Sequence, residues 1–428
     1  MVAGVGRIRF PPVSTAPSRI RSLLAGGGSI AIAMGVMNVA TYAFTMIAAR
    51  VLGPKSYGAF AGLMATLLVV SVLQLGLQAT AARRIAAEPG HVGQIERTIL
   101  GVTYRAAAAL GVLLLVLTPL LNQILRLDSL ATAALVSIVS VPFTIMGGQA
   151  GILQGERRWA ALSVLYVLSG VPRLIVGTAL IAWRPTEFAA LLGIGIAACA
   201  PVVAGWWVLR RPRDPGVQSE DHGFRRVMIE TFHNSQVLLA FFALSNVDIV
   251  LARNVLPEHD AGLYAGGLIL TKAVLFLPQF IVVIAFPSMA TEDGRRRALT
   301  ASLALIAGLG VVVSLGAAVV PDLALIFVGG DSYDEIAENL WIFAILGTLL
   351  AMLQLLVYSV LARQGQRSVY LVWAALVAIV AIGLTTSTLR GLLTTVIVTD
   401  AVLFVALLCI SLVVVRRPAP APEPLPAQ

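Results

Sequence analysis

Twelve apolar stretches, each roughly 20 residues long, follow one another along the 428 residues of this chain. A helix of about 20 apolar residues is long enough to cross the ~30 Å hydrocarbon core of a bilayer. With 58% hydrophobic and 12% charged residues, the composition lies outside that of soluble globular domains. The sequence therefore predicts an all-α membrane protein with twelve transmembrane helices. The predicted spans are residues 28–49, 57–82, 99–121, 130–153, 160–183, 188–209, 228–251, 263–289, 299–320, 340–361, 369–386 and 391–415.

The basic residues alternate between the two sides of these spans, as the positive-inside rule requires. With a cytoplasmic N-terminus, 21 of the 30 Lys and Arg residues fall in cytoplasmic segments, six fall outside and three lie within spans. We therefore expect a multi-pass protein of the cytoplasmic (inner) membrane with both termini inside, a cytoplasmic segment over 1–27 and a disordered tail over 416–428. The net charge of +9 does not indicate nucleic-acid binding, because the arginines stand between apolar runs.

Three sequence motifs occur twice, in the same order and about 203 to 210 residues apart. "IAARVLGPKSYGAFAG" returns as "VLARNVLPEHDAGLYAGG", "LQGERRW" as "ARQGQRS", and "VLRRP" as "VVRRP". An even number of spans in each copy makes this a parallel repeat about an axis normal to the membrane. The sequence thus predicts two pseudo-symmetric six-helix lobes, 28–209 and 228–415, joined by a cytoplasmic linker at 210–227.

The first of these motifs is expected to form the extracellular turn after the first helix of each lobe. Gly-Pro cannot continue a helix, and Gly58 and Gly262 would let the next helix begin close to its neighbour. Tyr57 and Tyr264 are typical of the aromatic belt at the membrane interface.

Together, "R-x-LGP-x-x-YG", "NVDIVLARNVLPEHDAGLYAG" and Phe286-Pro287 resemble the Wzx-type polysaccharide or O-antigen flippases. These belong to the multidrug/oligosaccharidyl-lipid/polysaccharide (MOP) exporter superfamily, which also holds the multidrug and toxin extrusion (MATE) transporters and the lipid II flippases. The resemblance implies a V-shaped pair of lobes and alternating access for an amphiphilic substrate whose polyprenyl tail stays in lipid. It also implies a lipid-linked oligosaccharide and membrane lipids as partners, together with a glycan polymerase and chain-length machinery. The lipid II branch typically has more helices than the twelve found here.

Charged residues inside the spans are the first candidates for the substrate site, because a charge in lipid is costly. Arg173 lies about 20 Å from the start of its span, so it either lines a cavity or forms an ion pair between helices. Lys272 and Gln279 are seven residues apart and share one helical face, which favours a cavity lining over a structural pair. Arg105 is about six residues into the third span and is expected to extend its guanidinium to the interface.

A polar stripe marks the seventh span. Asn234, Ser245 and Asp248 fall on one side of a continuous helix, with Asp248 either solvated at the interface or functional. Asp400, near the middle of the twelfth span, would be a counterion of a buried cation or a proton acceptor. Asn38 and Thr41 occupy the matching place in the first span and are weaker candidates.

The sign of the buried charge separates the possible functions. All the acids of residues 1–209 fall in loops, so the first lobe offers a substrate only positive charge within its spans. Arginine and lysine favour phosphate or diphosphate, so we expect a polyprenyl-diphosphate-linked oligosaccharide to be translocated for surface polysaccharide assembly. A MATE-like ion-coupled exporter of drugs or metabolites and a lipid II-type precursor flippase stay open as alternatives. The sequence contains no P-loop and no large extracytoplasmic domain, so neither catalytic residues nor a metal or cofactor is expected.

Overall fold

The computed structural model describes residues 17–211, 219, 222–285, 292–361 and 366–415. Within these residues the chain is helical and contains no β-strand. The helices are α1 (Pro17–Val70), α2 (Val72–Ala87), α3 (Val92–Val116), α4 (Thr118–Ile124), α5 (Leu130–Gly155), α6 (Trp159–Trp183), α7 (Glu187–Leu209), α8 (Phe224–Leu244), α9 (Val247–Val255), α10 (Glu258–Ala285), α11 (Glu292–Val319), α12 (Pro321–Val328), α13 (Leu340–Leu361), α14 (Gln366–Gly383) and α15 (Leu389–Val415).

Each predicted span coincides with one or two of these helices. In the described part of the chain, nine helical segments are long and apolar enough to cross a membrane, and the first of them, Gly28–Ala87, contains two predicted spans. These two spans are separated by a kink at Gly53, whose φ of 68° is open to glycine but strained for other residues. The all-α membrane fold is confirmed, whereas the number of twelve crossings stays a prediction.

The helices pack as two bundles with α8 between them. Helices α1 to α7 form the first bundle and α9 to α15 the second. Helix α8 packs on α2 and α3 of the first bundle and on α14 of the second, and α1 lies along α10. This arrangement agrees with two lobes, and the lobe boundaries 28–209 and 228–415 stay a prediction.

The repeated turns meet each other where the two bundles join. A Cβ atom added to Gly58 would lie 2.9 Å from the Cα atom of Gly262, so the two backbones are in contact. Beside them, Lys55 and Glu258 form a salt bridge of 2.9 Å. We call this side of the molecule the Lys55 face. The two glycines therefore act between bundles rather than between neighbouring helices of one bundle.

The prediction that Tyr57 and Tyr264 belong to an interfacial aromatic belt is wrong. Both side chains are buried, with 4% and 0% of their surface exposed. The Tyr57 ring packs edge-on against Tyr333, with centroids 6.4 Å apart, and the Tyr264 hydroxyl donates to the Asp248 carboxylate. Their rings fill the interior because the close glycine contact draws the two bundles together at this point.

Substituting Gly262 by valine is expected to abolish transport by forcing the bundles apart. A Cβ at this position would lie 2.1 Å from the carbonyl oxygen of Pro54, and backbone cannot move aside as a flexible side chain can. Gly316→Val is the matched control, because a Cβ there meets nothing within 4 Å. Transport by each variant in cells, with membrane levels measured in parallel, tests this; equal activity of the two variants would contradict the tight contact.

Candidate functional site

A cavity of about 650 Å³ opens inside the first bundle, between α1, α2, α5 and α6, with Leu238 of α8 at its edge. Its walls combine four methionines and several leucines with uncharged polar side chains and one arginine. Such a mixture of apolar surface and a few convergent polar groups is typical of a small-molecule site. The polar lining residues are Asn38, Thr41, Ser71, Gln74, Gln78, Gln154, Tyr166, Ser169 and Arg173.

Arg173 is the charged residue of this cavity. Helix α6 carries it near mid-length, and its guanidinium lies 5.6 Å from the centre of the Phe44 ring, a cation–π distance. One terminal nitrogen contacts the Met64 sulfur at 3.5 Å, a weak acceptor. Its Nε is buried without a hydrogen-bond partner among the described residues, and no carboxylate there forms an ion pair with it. The cavity therefore contains a cation whose hydrogen-bonding capacity is largely unused.

Asn38 and Thr41 of α1 line the same cavity, so three of the predicted site residues lie together. Asn234 belongs to α8 and Gln279 to α10, but their side chains lie outside the described residues. Lys272 is not among the residues that line this cavity. That Arg173 and Lys272 act as one site therefore stays a prediction.

Lys272 belongs to a buried polar network in the second bundle. Its ammonium donates to the Ser245 carbonyl at 2.8 Å and to the Asn246 side-chain oxygen at 3.0 Å. Both acceptors stand at the break between α8 and α9, where helix hydrogen bonding stops. Lys272 thus bonds the Ser245 carbonyl, which the broken helix leaves without a helical partner.

This break also corrects the predicted polar stripe. The seventh span is two helices, since Asn246 adopts non-helical angles (φ −137°, ψ −3°), so Asn234, Ser245 and Asp248 do not share one continuous helical face. Asp248 is buried rather than solvated, with 2% of its surface exposed. Its carboxylate accepts from the Tyr264 hydroxyl at 3.2 Å and from the Ile249 amide at 2.9 Å.

Asp400 of α15 is a further buried carboxyl group of the second bundle and forms no described hydrogen bond. It is fully buried, and neither carboxylate oxygen has a hydrogen-bond partner within the part of the chain that the structure describes. Asp248 lies close enough to interact with it electrostatically. Two carboxyl groups and one ammonium therefore share a buried region, which is costly unless protons or ions neutralise part of the charge.

A second polar cluster joins the first bundle to α8 on the opposite side, which we call the Glu230 face. Glu230 of α8 forms salt bridges with Arg83 and Arg84 of α2. Next to them, the Glu88 carboxylate lies 3.0 Å from the His222 Nε2 atom. The cluster was not predictable from the sequence, because its members lie at helix ends and in a connecting segment that are far apart in the chain.

Comparison with known proteins gives the fold and the family. A family model described as "Polysaccharide biosynthesis protein" matches residues 23–291. The chain belongs to this family. Uncharacterised proteins of Mycobacterium bovis and Mycobacterium tuberculosis are 26% identical to it over 399 residues, covering 86% of this chain and 89% of theirs. The resemblance to flippases of the MOP superfamily, predicted from the motifs, is thereby confirmed.

Solved structures of transporters share the fold. An inward-facing multidrug resistance MATE family transporter of the MOP superfamily has a TM-score of 0.69 at 15% identity, with 89% of this chain and 94% of that chain covered. The eukaryotic MATE transporter AtDTX14 has a TM-score of 0.64 at 14% identity, covering 93% and 96%. Family and fold are of the transporter type, and the protein is a multi-pass membrane protein.

Proposed function

We propose that this protein is a flippase that moves a polyprenyl-diphosphate-linked oligosaccharide across the cytoplasmic membrane by alternating access. The observation that carries the proposal is Arg173, a cation without a carboxylate partner in the described part of the chain, set in a large and mainly apolar cavity that also carries uncharged polar side chains. A guanidinium in a low-dielectric site binds phosphate oxygens strongly and can do so with two parallel hydrogen bonds. Membership in the polysaccharide biosynthesis family supports a glycan as the rest of the substrate.

Contacts at both faces support alternating access, because they link the first bundle to α9 on the Lys55 face and to α8 on the Glu230 face. On the Lys55 face, Arg253 and Asn254 of α9 donate to the carbonyls of Leu125 and Ile124 at 2.9 and 2.7 Å. On the Glu230 face, Glu230 pairs with Arg83 and Arg84. One set would break while the other holds, and substrate can shift that equilibrium only by binding the two states unequally. The positive-inside rule assigns the Glu230 face to the cytoplasm.

Asp248, Asp400 and Lys272 are proposed as the coupling group rather than as part of the glycan site. A carboxylate buried without a hydrogen bond is a natural acceptor for a proton or a small cation. Because α9, α10 and α15 carry these residues, a change in their charge would act on the second bundle and on its contact with α1. The membrane lipids and the glycan polymerase complete the proposed set of partners.

A MATE-like exporter of cationic drugs is the second candidate, favoured by the fold that the chain shares with multidrug transporters. The electrostatics argue against it. The described cavity contains a guanidinium and no carboxylate, and a like charge repels a cationic drug.

Deleting the gene is expected to leave undecaprenyl-linked oligosaccharide on the cytoplasmic leaflet and to remove a surface glycan. The reason is that the lipid-linked precursor cannot cross the bilayer unaided, since its polar head would have to enter hydrocarbon. Leaflet-specific labelling of the lipid-linked sugar, together with surface-glycan staining, measures both effects. Intact surface glycan with higher sensitivity to cationic drugs would overturn the proposal in favour of the exporter.

A further inference from the structure

A cluster of three uncharged polar side chains lies in the same cavity as Arg173. The Gln78 side-chain nitrogen donates to the Gln154 oxygen at 2.9 Å and to the Tyr166 hydroxyl at 3.0 Å. Three helices, α2, α5 and α6, contribute one residue each, and all three side chains line the cavity. We call these residues the amide cluster.

The amide cluster is positioned by a row of glycines on α5. Gly147, Gly151 and Gly155 recur every four residues in "GGQAGILQG", which places them along one side of the helix. A Cβ on Gly147 would lie 2.4 Å from the Gln74 carbonyl oxygen, and one on Gly151 would lie 2.5 Å from that of Gln78. The backbones of α2 and α5 therefore touch, as small-residue contacts in membranes allow.

Because the glycines already hold α2 against α5, the amide cluster is not needed for that packing. The amide cluster also has donor and acceptor atoms that form no hydrogen bond with the described residues. Among the described residues, the Gln78 oxygen, the Gln154 nitrogen and the Tyr166 hydroxyl proton have no partner. A donor amide, an acceptor amide and a hydroxyl facing one cavity match the hydroxyl and acetamido groups of a sugar.

The position of the amide cluster relative to Arg173 fits a substrate with a sugar next to a diphosphate. Tyr166, Ser169 and Arg173 follow one another at spacings of three and four residues, so they share one side of α6. The rise of the helix puts Tyr166 about 10 Å from Arg173, comparable with the length of a diphosphate joined to one sugar ring. Met34, Met37 and Met146 supply flexible apolar walls.

Resting on the proposed function, we infer that Gln78, Gln154 and Tyr166 form a subsite for the first, uncharged sugar residue of the lipid-linked substrate. An amide cluster without a nearby carboxylate or second cation would favour a neutral hexose or N-acetylhexosamine over a uronic acid. A ligand without the sugar would leave the three polar groups unpaired, which penalises its binding.

Binding of defined lipids to the full-length protein in nanodiscs tests the subsite. The probes are a polyprenyl diphosphate and the same lipid carrying one N-acetylhexosamine, one neutral hexose or one uronic acid. We expect the protein to bind at least one neutral-sugar lipid more tightly than the bare diphosphate, by about tenfold for one or two good hydrogen bonds. The uronic acid lipid should lack this gain.

Gln78→Leu, Gln154→Leu and Tyr166→Phe should each reduce the gain from the sugar at least about twofold, weakening the neutral-sugar lipids more than the bare diphosphate. Gln123→Leu, an exposed position on the end of α4, is the matched control. Tyr166→Phe removes only one oxygen, so it remains informative if a glutamine variant fails to fold.

Three results would overturn the subsite. Equal binding of all four lipids would do so while leaving the flippase proposal standing, and so would amide-cluster variants that weaken every lipid equally. Wild-type protein that binds none of the lipids would remove the proposed function as well. Arg173→Ala should weaken all four lipids and retain the preference for the sugar, which separates the two parts of the site.

Discussion

Replacing Arg173 by alanine is expected to reduce glycan export about tenfold or more while the folded protein stays in the membrane. A hydrogen bond to a charged group contributes about 1.5–3 kcal/mol, equivalent to about 10- to 100-fold in affinity. Here the guanidinium has few competing partners in the described structure, so most of that interaction is available to a phosphate. Surface glycan in a deletion strain carrying each variant, normalised to membrane level, gives the measurement.

Two further variants separate charge from geometry at this position. Arg173→Lys should retain part of the activity if positive charge is the main requirement, whereas a loss equal to that of alanine would indicate bidentate guanidinium binding. Arg184→Ala is the matched control, because Arg184 stands at the exposed end of the same helix and contacts the Trp183 ring. Normal export by Arg173→Ala would refute the phosphate site.

The course of the helices was largely predictable because the bilayer fixes their length and composition. Within the described residues, each of the twelve predicted apolar stretches is mostly helical, since backbone groups in hydrocarbon must bond within their own segment. The break at Ser245 and Asn246 was not predictable from apolar content. The Ser245 carbonyl accepts a hydrogen bond from Lys272 of α10. Such a contact can be inferred only when the packing of α8 and α10 is known.

The candidate site was predictable in part, for a related reason. Arg173, Asn38 and Thr41 could be found because a polar residue within an apolar run is conspicuous. Gln78, Gln154 and Tyr166 lie near span ends, where uncharged polar residues are ordinary. The signal that could have found them is the four-residue glycine spacing of "GGQAGILQG", which predicts a close helix contact. It does not tell which helix makes that contact, so the partner α2 could not be named.

The burial of Tyr57 and Tyr264 was also not predictable, because it depends on which distant segments come into contact. Tyr57 and Tyr264 occur at turns between apolar runs, where an aromatic belt is the usual prediction. The pairing of the repeated turns across the two bundles, through Gly58 and Gly262, places both rings inside. A repeat in the sequence shows that two segments are alike but not that they touch.

Asp400 has either a structural role, as the counterion of Lys272, or a functional role, as a proton or cation acceptor. About 11 residues into α15, it lies roughly 17 Å from the start of the helix. If it were the counterion of Lys272, removing it would leave a buried ammonium unpaired at a cost of about 3–5 kcal/mol. The Lys272 ammonium instead donates to Ser245 and Asn246, and the Asp400 oxygens have no hydrogen bond in the described part of the chain. These contacts favour a carboxyl group kept for a proton or cation.

Asp400→Leu is therefore expected to leave the thermal unfolding temperature unchanged or higher, because it replaces an unsatisfied buried carboxyl by an apolar side chain. Transport should nevertheless fall about 5- to 150-fold, the range of a typical coupling free energy. Asp400→Asn should lower transport to a similar extent, since asparagine keeps the shape of the side chain but cannot take up and release a proton. Asp322→Asn, at the exposed start of α12, is the control. Unfolding of purified protein in lipid and transport in cells are measured on the same variants. A marked fall in unfolding temperature for Asp400→Leu would assign the residue to the fold, and normal transport by Asp400→Asn would exclude it from coupling.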